Sequence, residues 1–290
     1  MLKNSEIRIR DPFVLLDNDR YYLYGTTDEN PWEGKAQGFN AYVSEDLEHW
    51  EGPYCIFSAG NGFWADENFW GPEVYRYRGA YYMIASFIAP GVTRVCQVLK
   101  SEHPLGPFIP FPEPITPPEW RCLDGTLYLE QGKPWLVFCR EWLEVNDGEV
   151  YAMPLKEDLS GAAGAPHFLF SASQAPWVNS ICEDEHTHKK NYVTDAPFLH
   201  KMKDGSLLMI WSSFSNGGYT IGQVVSHTGI LGRWTHSEKL LFDRDGGSGM
   251  IFTDKEGKLR LSFHQPNQSP LERPVFLELA ESEEGGLIIV

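Results

Sequence analysis

The chain has 290 residues, of which 42% are hydrophobic and 22% charged, and this composition excludes a disordered protein. Its net charge of −16 excludes the basic surface that binding to nucleic acid or to an anionic membrane requires. Aromatic residues make up 14% and occur with 27 Gly and 20 Pro, which favours many short strands over a helical bundle.

A hairpin pattern recurs five times along the chain. Each copy has an apolar strand, a polar turn and a second apolar strand, and the copies begin at Pro12, Pro72, Gly125, Pro197 and Gly249. A second strand pattern, first seen at Ala41–Leu47, lies between the hairpins. Two hairpins give four strands per unit, so the sequence predicts an all-β, five-bladed β-propeller of four-stranded antiparallel blades. We expect one domain over residues 1–290, with loops at Pro104–Trp120 and Trp177–Val193.

The alternative fold is a β-sandwich, which would not require the same hairpin five times.

Carboxylic acids lie beside the start of three of these hairpins. Asp11 and Asp124 directly precede the first residue of their copies, and Asp195 lies one residue further out. Because the first strand of every propeller blade lines the axis, we expect these side chains to meet at one mouth of the channel. Like charges held close together raise at least one pKa. The alternative is that each Asp is a turn residue that hydrogen-bonds its own backbone.

Carboxyl groups facing each other across a channel suit glycoside cleavage, in which one activates water and another protonates the leaving oxygen. Flat aromatic side chains would then support sugar rings, and the candidates are Trp70, Phe39, Trp32, Trp64 and Trp142.

Four motifs and two closing segments resemble, in order and spacing, those of glycoside hydrolase family 43. They are Arg10–Phe13, Trp70–Val74, Leu123–Gly125, Thr194–Leu199, His264–Asn267 and Glu272–Pro274. The resemblance covers nearly the whole chain. It implies a five-bladed propeller and an inverting enzyme that acts on arabinose- and xylose-containing plant polysaccharides.

The resemblance also implies a role for each acid. Asp11 would be the general base, Asp124 would hold the acid in place and raise its pKa, and Asp195 would be the general acid. The family's acid is usually a Glu before Gly-Pro, whereas here Asp195 precedes Ala-Pro, so the side chain is one methylene shorter. Glu141 is the alternative acid, ahead of Glu185 in the polar insertion.

Three further residues are candidates for the same site. Arg140 and Arg273 are expected to hydrogen-bond sugar hydroxyls or to pair with the acids. The resemblance implies that His264 holds a cation, such as calcium, or a water on the propeller axis; a hydrogen-bonded core histidine is the alternative. No cofactor is required for the expected reaction, and the sequence does not predict the oligomeric state.

The cysteines and the N-terminus bear on location. Five Cys at irregular spacings, with no Cys-x-x-Cys motif, and a polar first ten residues predict reduced thiols in the cytoplasm. The expected substrate is therefore an imported oligosaccharide. Two alternatives remain open: a retaining glycosidase with Asp11 as nucleophile, and a non-catalytic carbohydrate-binding propeller.

Overall fold

The computed structural model describes residues 1–60, 62–283 and 285–290, and nearly all of its regular structure is β-strand. Blade 1 contains β1 (Leu2–Lys3), β2 (Arg10–Asp17), β3 (Arg20–Thr26), β4 (Gly38–Ser44) and β5 (His49–Ser58). Blade 2 contains β6 (Glu67–Tyr77), β7 (Ala80–Ala89), β8 (Val92–Ser101) and β9 (Ile109–Pro110). Blade 3 contains β10 (Cys122–Glu130), β11 (Lys133–Arg140), β12 (Glu149–Pro154) and β13 (His167–Ser171).

The remaining elements complete the ring. A separate hairpin follows blade 3 and contains β14 (Cys182–Glu183) and β15 (Lys190–Asn191). Blade 4 contains β16 (Asp195–Lys201), β17 (Leu207–Ser215), β18 (Gly218–Ser226) and β19 (Trp234–His236). Blade 5 contains β20 (Gly247–Thr253), β21 (Leu259–Gln265), β22 (Arg273–Glu281) and β23 (Leu287–Ile289). One short helix, α1 (Trp142–Val145), and two 3₁₀ turns, Asn4–Glu6 and Ala172–Gln174, interrupt the strands.

These sheets confirm the predicted five-bladed propeller of four-stranded antiparallel blades. Within each blade the strands pair in chain order, and the short β1 adds a fifth strand to the outer edge of blade 1. The first strands of successive blades contact one another around the axis, including β20 with β2, so the ring is closed. Among the described residues, no helix is long and apolar enough to cross a membrane.

The hydrophobic core lies between the blades, where strand residues of neighbouring sheets interdigitate. Trp50 and Trp211 are fully buried, and Tyr21 of blade 1 packs edge-on against Phe252 of blade 5. The predicted hairpin turns contain the residues that such turns require; Arg78 and Gly79, for example, have φ values of 47° and 85°.

The segment predicted as a proline-rich loop, Pro104–Trp120, departs from expectation at one point. Ile109 and Pro110 pair with Leu99 and Lys100 and form the outermost strand of blade 2. Proline is compatible with this position because an edge strand has one side free of ladder hydrogen bonds.

Each inner strand begins with the same irregularity. One residue near its start has a positive φ, and the register with the second strand shifts there, as in a β-bulge. These residues, called the bulge residues below, are Asp11 (φ 53°), Gly71 (55°), Asp124 (53°), Ala196 (45°) and Ser248 (53°). All five line a small cavity of about 20 Å³ on the axis, so the bulge turns this position towards the centre of the ring.

The bulge residues also link neighbouring blades. Four of their backbone N–H groups donate to a side chain on the second strand of the preceding blade: Gly71 to Thr26 Oγ1 (2.9 Å), Asp124 to Ser86 Oγ (3.0 Å), Ser248 to Ser212 Oγ (2.9 Å) and Asp11 to His264 Nδ1 (3.2 Å). The fifth acceptor position is Cys139, and here the Ala196 N–H donates instead to Asp124 Oδ2, at 2.8 Å. A thiol is a weak acceptor, which explains the change of partner.

Candidate active site

The three predicted acids meet in one pocket of about 480 Å³ at the mouth of the channel. Asp11 and Asp124 are bulge residues, so they form the floor of this pocket and also line the small axial cavity. Asp195 occupies the position just before the bulge residue Ala196 and lines the larger pocket. The carboxyl groups therefore lie in two layers, two at the axis and one on the wall.

Asp11 is held from two sides. Its Oδ2 accepts a hydrogen bond of 2.6 Å from Thr26, and its N–H donates to Nδ1 of His264. Burial, with the nearby Arg10 cation, lowers the pKa of His264 to about 4. The imidazole is therefore neutral at pH 7, with Nδ1 as acceptor and Nε2 placed to donate to Asn267 Oδ1 at 3.4 Å.

These contacts bear on the predicted axial cation. Both ring nitrogens of His264 face protein partners, Asp11 and Asn267, and its ring stacks on Tyr219. In the part of the chain that the structure describes, no three His, Cys, Asp or Glu side chains are grouped to hold a metal ion. The observed role of His264 is to join blade 5 to blade 1 behind Asp11.

The other two acids have raised proton affinities. Burial, together with the negative charges of Asp11 and Glu141, raises the pKa of Asp195 to about 7, although a hydrogen bond of 2.9 Å from the Tyr219 hydroxyl opposes the shift. Burial and the charges of Asp195 and Asp11 raise the pKa of Asp124 well above its usual range. The pocket thus contains two carboxyl groups with raised pKa values, Asp124 and Asp195, beside Asp11, whose side chain is 22% exposed.

Glu141 also lines the pocket, but its carboxylate is engaged in a buried ion-pair cluster. Its Oε2 lies 2.6 Å from Nε of Arg121 and 3.6 Å from Nε of Arg94. Arg94 is itself buried, so the two positive charges compensate the burial of Glu141.

Two of the predicted aromatic platforms form one edge of the pocket. Trp32 and Trp70 meet edge-to-face at 5.3 Å between ring centres. The guanidinium of Arg10 stacks on Trp32 at 4.7 Å, and that of Arg94 stacks on Trp70 at 3.7 Å. Trp142 lines another part of the pocket.

The prediction that Phe39 binds substrate is wrong, because this side chain lies in the core and does not line the pocket. It is only 1% exposed and packs against Phe57, Phe69 and Phe87 in the core of blades 1 and 2. Trp64 likewise lies away from the pocket lining and donates to Gln97.

The predicted arginines are not pocket residues either. Arg140 pairs with Glu144 and lies 4.3 Å above the ring of Trp120, whereas Arg273 donates to backbone carbonyls such as that of Ser5. Both guanidiniums are thus used in surface contacts.

The cation that does line the pocket is Arg10, which the sequence reasoning did not select. Its Nη1 donates to Glu272 at 2.8 Å and its Nη2 donates to Asn267 at 2.7 Å. Its position in the sequence could have identified it. Arg10 directly precedes the bulge residue Asp11, just as Asp195 directly precedes the bulge residue Ala196.

The site combines an open pocket of about 480 Å³, carboxyl groups with raised pKa values and tryptophan side chains at its edge. This arrangement, at the mouth of a propeller, defines a glycosidase.

The chain belongs to glycosyl hydrolases family 43, whose family model matches residues 5–288. The solved structure of an endo-arabinase from Bacteroides thetaiotaomicron VPI-5482 is 42% identical, with a TM-score of 0.90, and the match covers 98% of each chain. A thermostable family-43 glycoside hydrolase is 24% identical, with a TM-score of 0.80 over 97% of this chain and 92% of that one. RS223-β-xylosidase, 18% identical, shares the fold with a TM-score of 0.78 over 100% of this chain and 98% of the other. No curated protein sequence matches the chain significantly.

Proposed function

We propose that the protein is an inverting glycosidase that cleaves arabinose- or xylose-containing oligosaccharides, with Asp11 as general base and Asp195 as general acid. The observation that carries the proposal is the meeting of Asp11, Asp124 and Asp195 in one pocket, with burial raising the pKa of Asp195 to about 7. An acid that keeps its proton near neutral pH can transfer it to a leaving alkoxide, while a carboxylate on the other side activates water.

Asp124 has the role of positioning the acid. Its Oδ2 accepts the N–H of Ala196, the residue that directly follows Asp195, so it fixes the backbone that carries the acid. The nearby charge of Asp195 in turn contributes to the raised pKa of Asp124.

Asp195 is preferred over Glu141 as acid because of their surroundings. The carboxylate of Glu141 is engaged in ion pairs with Arg94 and Arg121. Asp195 instead accepts a hydrogen bond from a hydroxyl, and the charges of Asp11 and Glu141 help to raise its pKa. The discriminating experiment compares Asp195→Asn and Glu141→Gln on glycosides with good and poor leaving groups. Loss of the acid should cost at least a hundredfold in kcat for alkyl leaving groups and much less for nitrophenyl ones, because the latter need no protonation. If only Glu141→Gln shows this pattern, the assignment is wrong.

The substrate is best sought first among arabinose-containing oligosaccharides, because the 42% identical relative is described as an endo-arabinase. Purified protein should release sugar from arabino-oligosaccharides, with xylo-oligosaccharides as the second series. NMR of the first product should show the inverted anomer, and retention would exclude water activation by Asp11. Absence of any sugar release from both series would overturn the proposed substrates.

Two proposals concern the setting of the reaction. The chemistry uses water as the second reactant and needs no cofactor. We propose that the protein works in the cytoplasm, and the finding that all five cysteines are free thiols supports this location. Cell fractionation tests this location directly.

A further inference from the structure

One side of the pocket is made of apolar side chains, two of which are exposed. Trp142, Leu143, Ile181 and Phe214, called the apolar wall below, all line it. Leu143 is 53% exposed and Ile181 is 38% exposed. Isolated exposed hydrophobic residues need no explanation, but a cluster of them within one pocket marks a binding surface.

The apolar wall lies on blades 3 and 4, on the side of the pocket that carries Asp195. Leu143 lies in α1, between β11 and β12 of blade 3, Ile181 directly precedes β14, and Phe214 lies on β17. Asp195 of β16 pairs with Ser212 of β17, and Ser212 lies two residues before Phe214 on that strand.

The opposite side of the pocket differs in chemistry. It is formed by blades 1, 2 and 5 and contains Trp32 and Trp70 with the polar groups of Arg10, Asn267 and Ser269. Hydrogen-bonding groups beside tryptophan faces suit a sugar ring, whereas aliphatic side chains offer a sugar hydroxyl no partner.

The apolar wall is held in place before any ligand arrives. The Asn146 side chain, at the end of α1, donates to Asn191 Oδ1 of β15 at 2.8 Å. The Ile181 N–H donates to the Asn191 carbonyl at 2.9 Å, and the Tyr192 N–H donates to the Asn146 carbonyl at 2.8 Å. The helix and the hairpin that carry Leu143 and Ile181 therefore form one connected unit, and such preorganisation lowers the entropic cost of binding.

We propose that the apolar wall binds the leaving group and selects substrates whose leaving group has an apolar face, such as alkyl or aryl glycosides and sugars esterified with an aromatic acid. The inference rests on the proposed function, because the general acid marks the side of the scissile bond on which the leaving group lies. With Asp195 as acid, that side is the apolar wall.

The test uses substrates that differ only in apolar area. Methyl, butyl, hexyl and octyl glycosides of arabinofuranose and of xylose have alkoxide leaving groups of closely similar basicity. We expect kcat/KM to rise about two- to fourfold per methylene until the wall is covered, because each buried methylene contributes hydrophobic free energy. A rise of less than twofold from methyl to hexyl would overturn the proposal.

Variants locate the effect on the wall. Leu143→Asn and Ile181→Asn should flatten the dependence of kcat/KM on the length of the alkyl chain, because each removes apolar area that the chain would cover. Leu231→Asn is the matched control, because Leu231 is 50% exposed and lies outside the pocket. A dependence that persists in both wall variants would also overturn the proposal.

Binding can be read separately from turnover. Alkyl 1-thioglycosides of the same sugars resist hydrolysis, so their dissociation constants can be measured by calorimetry on the wild-type protein. Affinity that increases with chain length supports binding of the alkyl group to the apolar wall. If no alkyl glycoside is cleaved in that case, only the proposed reaction is refuted. Cleavage of all alkyl glycosides with equal kcat/KM and equal affinity leaves the proposed reaction intact and refutes the wall assignment.

Discussion

Removing the hydroxyl of Tyr219 gives a direct test of Asp195 as the general acid. The hydroxyl donates to Asp195 Oδ2 at 2.9 Å and lowers the pKa of this carboxyl, against the burial and anionic neighbours that raise it to about 7. In Tyr219→Phe the opposing contribution is lost, so the pKa of Asp195 rises. Because the reaction needs the protonated acid, the alkaline limb of kcat/KM should move to higher pH.

The size of the shift follows from the hydrogen bond. A hydrogen bond to a charged group contributes about 1.5–3 kcal/mol, and one pKa unit corresponds to about 1.4 kcal/mol. The same hydroxyl also interacts with the protonated carboxyl, which cancels part of the difference. We therefore expect the alkaline limb to move upward by about one pH unit.

The assay is the dependence of kcat/KM on pH between about 4 and 9, a range that brackets the pKa of Asp195. Ser248→Ala is the control, because Ser248 Oγ is the other hydrogen-bond partner of the Tyr219 hydroxyl, at 3.1 Å, and its loss leaves the bond to Asp195 in place. The limb should stay near its wild-type position in Ser248→Ala. An unchanged or lowered limb in Tyr219→Phe would refute the assignment of Asp195 as the titrating acid.

Three further predictions concern the geometry of the acids. Gly71→Ala should lower the free energy of unfolding by about 1 kcal/mol, because φ is 55° at this position. It should also lower kcat severalfold, because the new Cβ would lie 3.2 Å from Asp124 Oδ1. Unchanged kinetics would contradict this prediction. Cys139→Ser offers the Ala196 N–H a hydroxyl acceptor, so kcat should fall several-fold while the melting temperature changes little; wild-type kcat would show that the bond to Asp124 is dispensable. Asp195 has a raised pKa when folded, so its contribution to stability is full below the unfolded pKa of 3.8 and is lost as pH rises through about 7. In denaturant unfolding, the loss of stability between pH 4 and pH 8 should therefore be up to about 4 kcal/mol smaller in Asp195→Asn than in wild type; equal pH dependence in both would contradict the raised pKa of Asp195.

The repeat in the sequence predicted the fold because it reports strand order and turn chemistry together. The five hairpins begin one residue after each of the five bulge residues, so the repeat also located the positions around the axis. It did not predict their conformation. Asp11 and Asp124 have the positive φ, whereas in blade 4 the residue with positive φ is Ala196, so Asp195 belongs to a different layer from the other two acids.

What the sequence could not predict depends on contacts between distant segments. Phe39 and Trp70 are both aromatic residues on strands, and only the packing of Phe57 and Phe87 against Phe39 makes it a core residue. The periodic strand pattern also does not predict which connecting segments pack against one another. Ile181 reaches the pocket because its hairpin is tied to α1, a contact that no local pattern encodes.

The two layers of acids separate the proposed general acid from the carboxyl groups at the axis. The axial cavity of about 20 Å³ already has three carboxyl residues in its lining: Asp11, Glu73 and Asp124. A fourth carboxyl group at position 196 would lie in the same small space, where each negative charge disfavours the next. With alanine at the bulge and the acid one residue earlier, Asp195 instead lines the larger pocket and lies outside the lining of the axial cavity. Arg10 and Trp70 share this place on the strand, because each directly precedes a bulge residue and lines the pocket, so the position before the bulge is the one that presents a side chain to the pocket.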